Sequence, residues 1–357
     1  LLRASPLRGF NIPGATDRII TTLFTDNTTI YLSKMDDYST LQSILSTWCT
    51  ASSARFNTSK TEIIPIGSPE YREQLIDSRA LSPLSLQFPS SARIAQDGDS
   101  VRILGAWIGN EIDQEAPWTI VLNKIRASLD RWKKGHPSLR GKCLIIQMIV
   151  GGMTQYLTTV QGMPTHIEKI LTTIIHRFIW HDSCIPPIKL DTLHLPRTQG
   201  GLDLLDLHSR NNAIDLQWLR PFLNLTPSRP TWAYVADLLI SDNITKSSGQ
   251  IDKTAQKNIV LQSWRAGLHS TSHLPSDILR MLCAGESFGL NFEAIKLSPT
   301  LKKKLPFWHH VGAKLALRRL NNSRSAQCLR QNHEVLSVGD MMCLTKRTRH
   351  PALNPPH

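Results

Sequence analysis

The sequence predicts an α+β fold in which a short β-rich opening is followed by a mainly helical remainder. Two runs of branched and aromatic residues, 19–24 and 28–32, flank the polar pair Asp26-Asn27. Both residues of that pair tolerate positive φ, so the pattern is typical of a tight hairpin. Further along, apolar residues recur at helical spacing over several long segments. With 41% hydrophobic and 19% charged residues among 357, the chain has an ordinary globular composition.

The opening region continues with a helix and two further strand segments. Asp36 or Asp37 is placed to cap this helix. Its apolar positions follow i, i+3, i+4, i+7 spacing and are Leu41, Ile44, Leu45 and Trp48. We expect strands at Glu62–Ile66 and Val101–Ile108. Residues 68–98 between them are polar and contain prolines, which predicts an irregular insertion.

The middle of the chain is predicted to be entirely helical. Pro117 suits the first turn of a helix that reaches Trp132, and two more helices are expected over 141–160 and 165–180. A polar stretch that follows several prolines predicts a linker at 221–257. Residues 258–357 are expected to be basic and mostly helical, with a disordered end.

Positive charge is in excess and unevenly distributed. The chain has 41 Lys and Arg against 28 Asp and Glu, a formal net charge of +13. Nine basic and two acidic residues lie between Trp118 and Trp180, and eleven basic and two acidic between Thr300 and His350. A polyanionic partner, RNA or DNA, therefore fits better than an acidic protein, and two basic surfaces are expected.

The cysteines and the apolar runs favour an intracellular protein. The six cysteines are scattered, without a C-x-x-C pair, so reduced thiols are expected. The longest apolar stretch, Leu144–Met153, falls short of the roughly 18 residues that a membrane span requires. We therefore expect no membrane segment, no secretion, and a nuclear or cytoplasmic location.

The sharpest motif lies at the tip of the predicted hairpin. Phe24-Thr25-Asp26-Asn27 resembles the Tyr/Phe-x-Asp-Asp motif of reverse transcriptases. The resemblance implies that Asp26 and Asn27 are catalytic positions and that Asp26 is a Mg²⁺ ligand, since Mg²⁺ prefers hard oxygen ligands.

The order of the following motifs points to one branch of that family. After the predicted helix comes Asn57-Thr58-Ser59-Lys60-Thr61-Glu62, which is similar to the Asn-x-x-Lys-[Ser/Thr]-Glu core of reverse transcriptases from non-LTR retrotransposons. By resemblance, Lys60 is a third catalytic residue, near the leaving pyrophosphate. The alternative is a surface lysine at the start of a strand.

Downstream motifs extend the resemblance to about residue 220. Leu104-Gly105 resembles a hairpin that grips the primer end, where a glycine lets the backbone approach nucleic acid. The following helices resemble the family's thumb, and 193–204 resembles a segment after it. The resemblance implies nucleic-acid contacts at Leu104, Gly105, Lys124, Arg131, Lys133, Lys134, Arg140 and Lys142.

These correspondences predict a partial polymerase palm at 1–112 and a helical thumb with a post-thumb segment at 113–220. The linker and the basic region at 258–357 follow, and nothing beyond residue 220 resembles the family. The chain departs from the family pattern at Asn27, a neutral amide where the motif has a second carboxylate. Only about 25 residues precede Asp26, too few for the fingers and the earlier palm aspartate.

Three hypotheses follow. The leading one is a truncated RNA-directed DNA polymerase that is inactive alone and does not bind Mg²⁺ productively. The second is a non-catalytic nucleic-acid-binding protein that uses basic helices and the basic tail. The third is a helical scaffold protein with an accidental Asp-Asn hairpin. Salt-sensitive binding and primer extension distinguish them.

Overall fold

The protein has the expected α+β class, with mainly helical structure and, in the part of the chain described here, three separate two-stranded sheets. A computed structural model describes residues 1–180, 186–226, 228–243, 261, 274–290 and 297–347, without the side chains of 315, 318, 346 and 347. The chain divides into two compact units, Leu1–Asn211 and Asn212–His357. The predicted disordered end lies outside the described residues.

The first unit opens with a hairpin and a helix. Strands β1 (Thr21–Phe24) and β2 (Asn27–Ile30) pair antiparallel, and α1 spans Tyr38–Ser52. Of the two possible caps, Asp37 accepts a hydrogen bond from the Ser39 amide. Asp36 is buried instead, and its carboxylate accepts hydrogen bonds from the amides of three residues in the preceding loops, Arg8, Gly9 and Ser33.

The region predicted to be an irregular insertion contains regular structure, so that prediction is wrong in part. Helix α2 spans Pro69–Ser78, with the Ser68 side chain as its cap and Pro69 in its first turn. Pro is favoured there because the first amides of a helix have no partner to lose. Strand β4 (Arg93–Ile94) pairs parallel to β3 (Glu62–Ile63), which is shorter than predicted.

The main core of the first unit lies between long helices. Strands β5 (Val101–Ile103) and β6 (Ala106–Ile108) form a second hairpin. The apolar run 101–108 had predicted a single strand there, whereas the resemblance at Leu104-Gly105 implied a hairpin. The helices are α3 (Ala116–Lys133), α4 (Leu139–Ile146), α5 (Gly152–Gln161) and α6 (Thr165–Trp180). A π-helical segment, Gln147–Gly151, joins α4 to α5. Trp118, Ile125, Ile146 and Leu171 are fully buried among them.

A compact loop completes this core. Helix α7 (Leu190–His194) and a 3₁₀ turn (Arg197–Gln199) lead to Gly200, which has φ +84°. The amides of Leu202 and Leu204 both donate to the Leu193 carbonyl, at 3.1 and 3.0 Å. The loop therefore folds back on α7 and places Leu204 in the main core.

Helix α8 (Leu207–Phe222) contains the division between the units. In the second unit, α9 (Thr231–Asp242) and α10 (Ser276–Ser287) pack around a core that includes Phe222, Ala233 and Ile240. The linker prediction does not hold for α9, which buries Ala233 and Ile240 in this core and whose Asp237 forms a buried ion pair with Arg229. The rest of the predicted linker beyond residue 243 lies outside the described residues.

Four short α-helices follow within residues 297–347. These are α11 (Pro299–Lys304), α12 (Leu315–Arg318), α13 (Arg324–Gln331) and α14 (Val338–Arg347). The indole N–H of Trp308 donates to the Val335 carbonyl at 2.5 Å, and the Arg330 guanidinium stacks on the Trp308 ring. Phe307 and Trp308 contact each other edge to face, with ring centroids 5.0 Å apart.

Among the described helices, the continuous segment Leu139–Gln161 is long and apolar enough to cross a membrane by length and composition alone. In the structure 44% of its most apolar window is buried, with Ile146 and Val150 in the main core. Core helices of soluble proteins meet the same criteria, so the expectation of no membrane segment stays a prediction.

Candidate nucleic-acid interface

The first hairpin places the Phe24–Asn27 motif at an exposed tip, one residue out of the expected register. Phe24 and Asn27 pair across the strands, so the turn residues are Thr25 and Asp26 rather than Asp26 and Asn27. Thr25 has φ +54°, and Asn27 begins β2 in extended backbone. Positive φ at the first turn residue alone is the pattern of a type II′ turn.

The residues at this tip fit a pair of bound Mg²⁺ ions poorly. Asp26 supplies one exposed carboxylate, and Asn27 contributes only a neutral amide oxygen. Within the described residues, no group of three His, Cys, Asp or Glu side chains could hold a metal ion. The tip therefore offers too few charged oxygen ligands for two-metal chemistry.

The Asn57–Glu62 segment is a locally determined turn. The Asn57 side-chain oxygen accepts hydrogen bonds from the amides of Ser59 and Lys60 at 3.1 and 3.3 Å. The Thr61 hydroxyl donates to the Asn57 carbonyl, and Glu62 pairs with Arg93 at 3.1 Å. Lys60 is exposed, and no hydrogen bond or ion pair joins it to Asp26 in the described part of the chain.

The Leu104-Gly105 hairpin is present, but its glycine is explained by the protein itself. Leu104 and Gly105 have φ values of +50° and +87°, as in a type I′ turn. The Tyr156 hydroxyl donates to the Leu104 carbonyl. A Cβ on Gly105 would lie 2.9 Å from a Tyr156 ring carbon. Close packing against Tyr156 therefore requires glycine here, whether or not nucleic acid approaches.

Most of the predicted basic contacts are exposed on or beside α3. Lys124 and Arg131 are seven residues, or two turns, apart and so share a helix face, and Lys134 lies at the end of the same helix. Trp132 between them is 46% exposed. Arg140 is exposed in the first turn of α4. We refer to Lys124, Arg131, Lys134 and Arg140 as the basic row.

Two other predicted contacts do not belong to the basic row. Lys133 is half-buried, and Lys142 is only 5% exposed, with its ammonium donating to the Ile179 carbonyl at 2.6 Å. Burial lowers the pKa of Lys142, and the nearby charge of Lys133 lowers it further. The assignment of Lys142 as a phosphate contact is corrected, because this side chain is enclosed beside Cys143 and Ile146 and bonds to the end of α6.

Several apolar side chains of the segment Leu139–Gln161 are exposed. Leu144, Met148, Met153, Tyr156 and Val160 are between 37% and 58% exposed. The sequence does not distinguish Tyr156 from a core residue, because it lies in an apolar run. Its hydrogen bond to the Leu104 carbonyl depends on the tertiary structure.

Comparison with known proteins does not assign the chain to a family. No protein-family model matches the chain, and no curated protein matches it significantly.

Proposed function

We propose that this chain is the C-terminal part of a reverse transcriptase of a non-LTR retrotransposon, with a partial palm at 1–112 and a thumb at 113–220. On this proposal its own activity is nucleic-acid binding, and it does not polymerise alone. The proposal is supported by the ordered motifs from Phe24 to Leu202 and, above all, by the exposed basic row.

The basic row suits a phosphate backbone better than a small anion. Its four cations are spread over two helices rather than gathered into one cavity. Each Lys or Arg that neutralises a phosphate releases condensed counterions, which gives sequence-independent binding that weakens with salt. The exposed Trp132 ring provides a surface on which a base can stack.

Polymerisation by this chain is not part of the proposal, because Asp26 lacks a carboxylate partner in its own motif. Mg²⁺ would supply electrostatic stabilisation of the transferring phosphate if held by several carboxylates. Asp26 and Asn27 are the residues that would contact it. Primer extension on a primed RNA template with Mg²⁺ should give no product. Product that is lost in Asp26→Ala would overturn this part of the proposal.

Binding is tested by fluorescence anisotropy with a labelled RNA–DNA hybrid at two salt concentrations. We expect affinity to fall as salt rises, and Lys124→Ala and Arg131→Ala each to reduce the salt slope by about one unit. Lys189→Ala removes another exposed lysine of the same unit and is the matched control. Absent or salt-indifferent binding overturns the proposal and favours a scaffold protein.

A second candidate, a non-catalytic nucleic-acid-binding protein without this ancestry, is favoured by the basic region at 297–347. Lys302 and Lys303 are exposed on α11. Asp340, one of only two acidic residues there, is occupied in accepting bonds from Ser337. Binding that survives loss of the basic row but not Lys302→Ala with Lys303→Ala supports this candidate. Both candidates imply an intracellular location, nuclear or cytoplasmic.

A further inference from the structure

The second hairpin is attached to α5 by two side chains that no motif includes. The Trp107 amide donates to the Gln161 side-chain oxygen at 3.1 Å, and the Gln161 amide group donates to the Trp107 carbonyl at 2.9 Å. Gln161 thereby pairs with β6 as a neighbouring strand would. Five residues earlier, the Tyr156 hydroxyl donates to the Leu104 carbonyl at the turn. One anchor therefore holds the strand and the other holds the turn.

This attachment fixes a turn that would otherwise be free to move. The three residues of each strand give the hairpin little stability of its own, because isolated hairpins are marginal in water. Leu104 adopts positive φ, which is unfavourable for a residue with a Cβ, and its side chain is 46% exposed. A strained and exposed tip held by two side chains of a rigid helix is a preorganised contact point.

We propose that Tyr156 and Gln161 are positioning residues that hold the Leu104–Gly105 turn in fixed register with α5. Held in this way, the turn offers nucleic acid a preformed surface, in addition to the basic row of the same unit. Nucleic-acid binding by that surface rests on the proposed function, whereas the attachment of the hairpin to α5 does not. Neither residue itself supplies charge to a phosphate, so their effect is on geometry alone.

The test compares Tyr156→Phe and Gln161→Met with matched controls in the full chain. Tyr71→Phe removes a hydroxyl that likewise donates to a backbone carbonyl, that of Leu81 at 3.3 Å. Gln155→Met makes the second change on an exposed position of α5. Amide hydrogen exchange over 101–108 measures the attachment, and anisotropy with the labelled hybrid measures binding.

We expect faster exchange at 101–108 and about three- to tenfold weaker binding in Tyr156→Phe and Gln161→Met, as for a lost hydrogen bond. The salt slope should stay at the wild-type value, because no phosphate contact is removed. The controls should match wild type. Wild-type affinity despite faster exchange overturns the positioning role, and unchanged exchange overturns the attachment. If wild type does not bind at all, the proposed function fails, and exchange alone decides the attachment.

Gln161→Glu provides a conservative variant with a distinct pH signature. An ionised Glu accepts from the Trp107 amide but cannot donate to the Trp107 carbonyl, whereas a protonated Glu can do both. The affinity of Gln161→Glu for the hybrid, divided by that of wild type, should therefore rise as pH falls toward about 4, the range in which Glu protonates. A pH-independent ratio would count against the hydrogen-bonded geometry.

Discussion

At the scale of single residues, Asp36 is the carboxylate on which the opening region depends. It accepts amide hydrogen bonds from Arg8, Gly9 and Ser33 at 2.6, 3.0 and 2.8 Å. Asp36→Ala should lower the free energy of unfolding by about 2–3 kcal/mol, because three amides, including that of the buried Gly9, lose a charged acceptor. The urea midpoint measures this loss. Asp37→Ala, which removes the exposed cap next to it, should have a smaller effect, and equal effects would contradict the assignment.

Lys142 should make the free energy of unfolding depend on pH in the alkaline range. Burial lowers its folded-state pKa below the unfolded value, so the unfolded chain binds more protons over the range between the two. Below the folded-state pKa, the buried charge of Lys142 destabilises the protein to its full extent. Between that pKa and the ordinary lysine value of about 10.4, the free energy of unfolding rises with pH.

Lys142→Met removes this titration, since the variant has no ionisable group at the site. The unfolding free energy of wild type relative to Lys142→Met should therefore increase with pH, as measured by urea unfolding from pH 7 to pH 10. Lys134→Met makes the same change at an exposed lysine of the same unit and is the control. A constant difference would mean that the ammonium of Lys142 is well solvated.

At the scale of elements, two adjacent glycines of the loop after α7 should differ in their tolerance of alanine. A Cβ at Gly201 would lie 1.9 Å from the Leu195 carbonyl oxygen, whereas Gly200 has open space and only a positive φ. Gly201→Ala should cost at least about 2 kcal/mol and Gly200→Ala about 1 kcal/mol. Thermal unfolding of the two variants measures the difference, and the reverse order would refute the loop geometry.

The helices were largely predictable from sequence, and the strands were less so. Pro117 and the apolar spacing after it correctly located α3, and 165–180 matched α6. Helix α2 was not predicted, because the polar composition and prolines of 68–98 favour irregular structure, although Ser68-Pro69 is a helix start signal. The turn of the first hairpin lies one residue earlier than predicted, at Thr25-Asp26. Residue composition alone does not distinguish a type II′ turn there from a type I′ turn at Asp26-Asn27.

The charged residues of the candidate site could be predicted from the sequence, but the tertiary contacts around them could not. Exposure of Lys124, Arg131 and Arg140 follows from the helical pattern. Lys142 lies two residues after Arg140, and its burial depends on contact with the end of α6, which local sequence does not encode. Gln161 and Trp107 are 54 residues apart, so no local pattern links them.

At the scale of the whole molecule, the two units should unfold in separable steps. The main core of the first unit ends at Leu207, and the first core of the second begins at Leu219 with no described residue in common. Calorimetry of the full chain should therefore resolve two transitions. Ile125→Ala and Ile240→Ala each empty a fully buried site in one unit, at a cost of about 2–5 kcal/mol.

Each variant should lower the midpoint of one transition and leave the other in place, which assigns the transitions to the units. Ile120→Ala, at a position 51% exposed on α3, is the control for the same chemical change outside the core. If calorimetry shows one transition and either core variant lowers its midpoint, the two units unfold cooperatively as one body. In that case variants that destabilise the second unit would also weaken hybrid binding by the basic row, because the first unit could no longer stay folded without it.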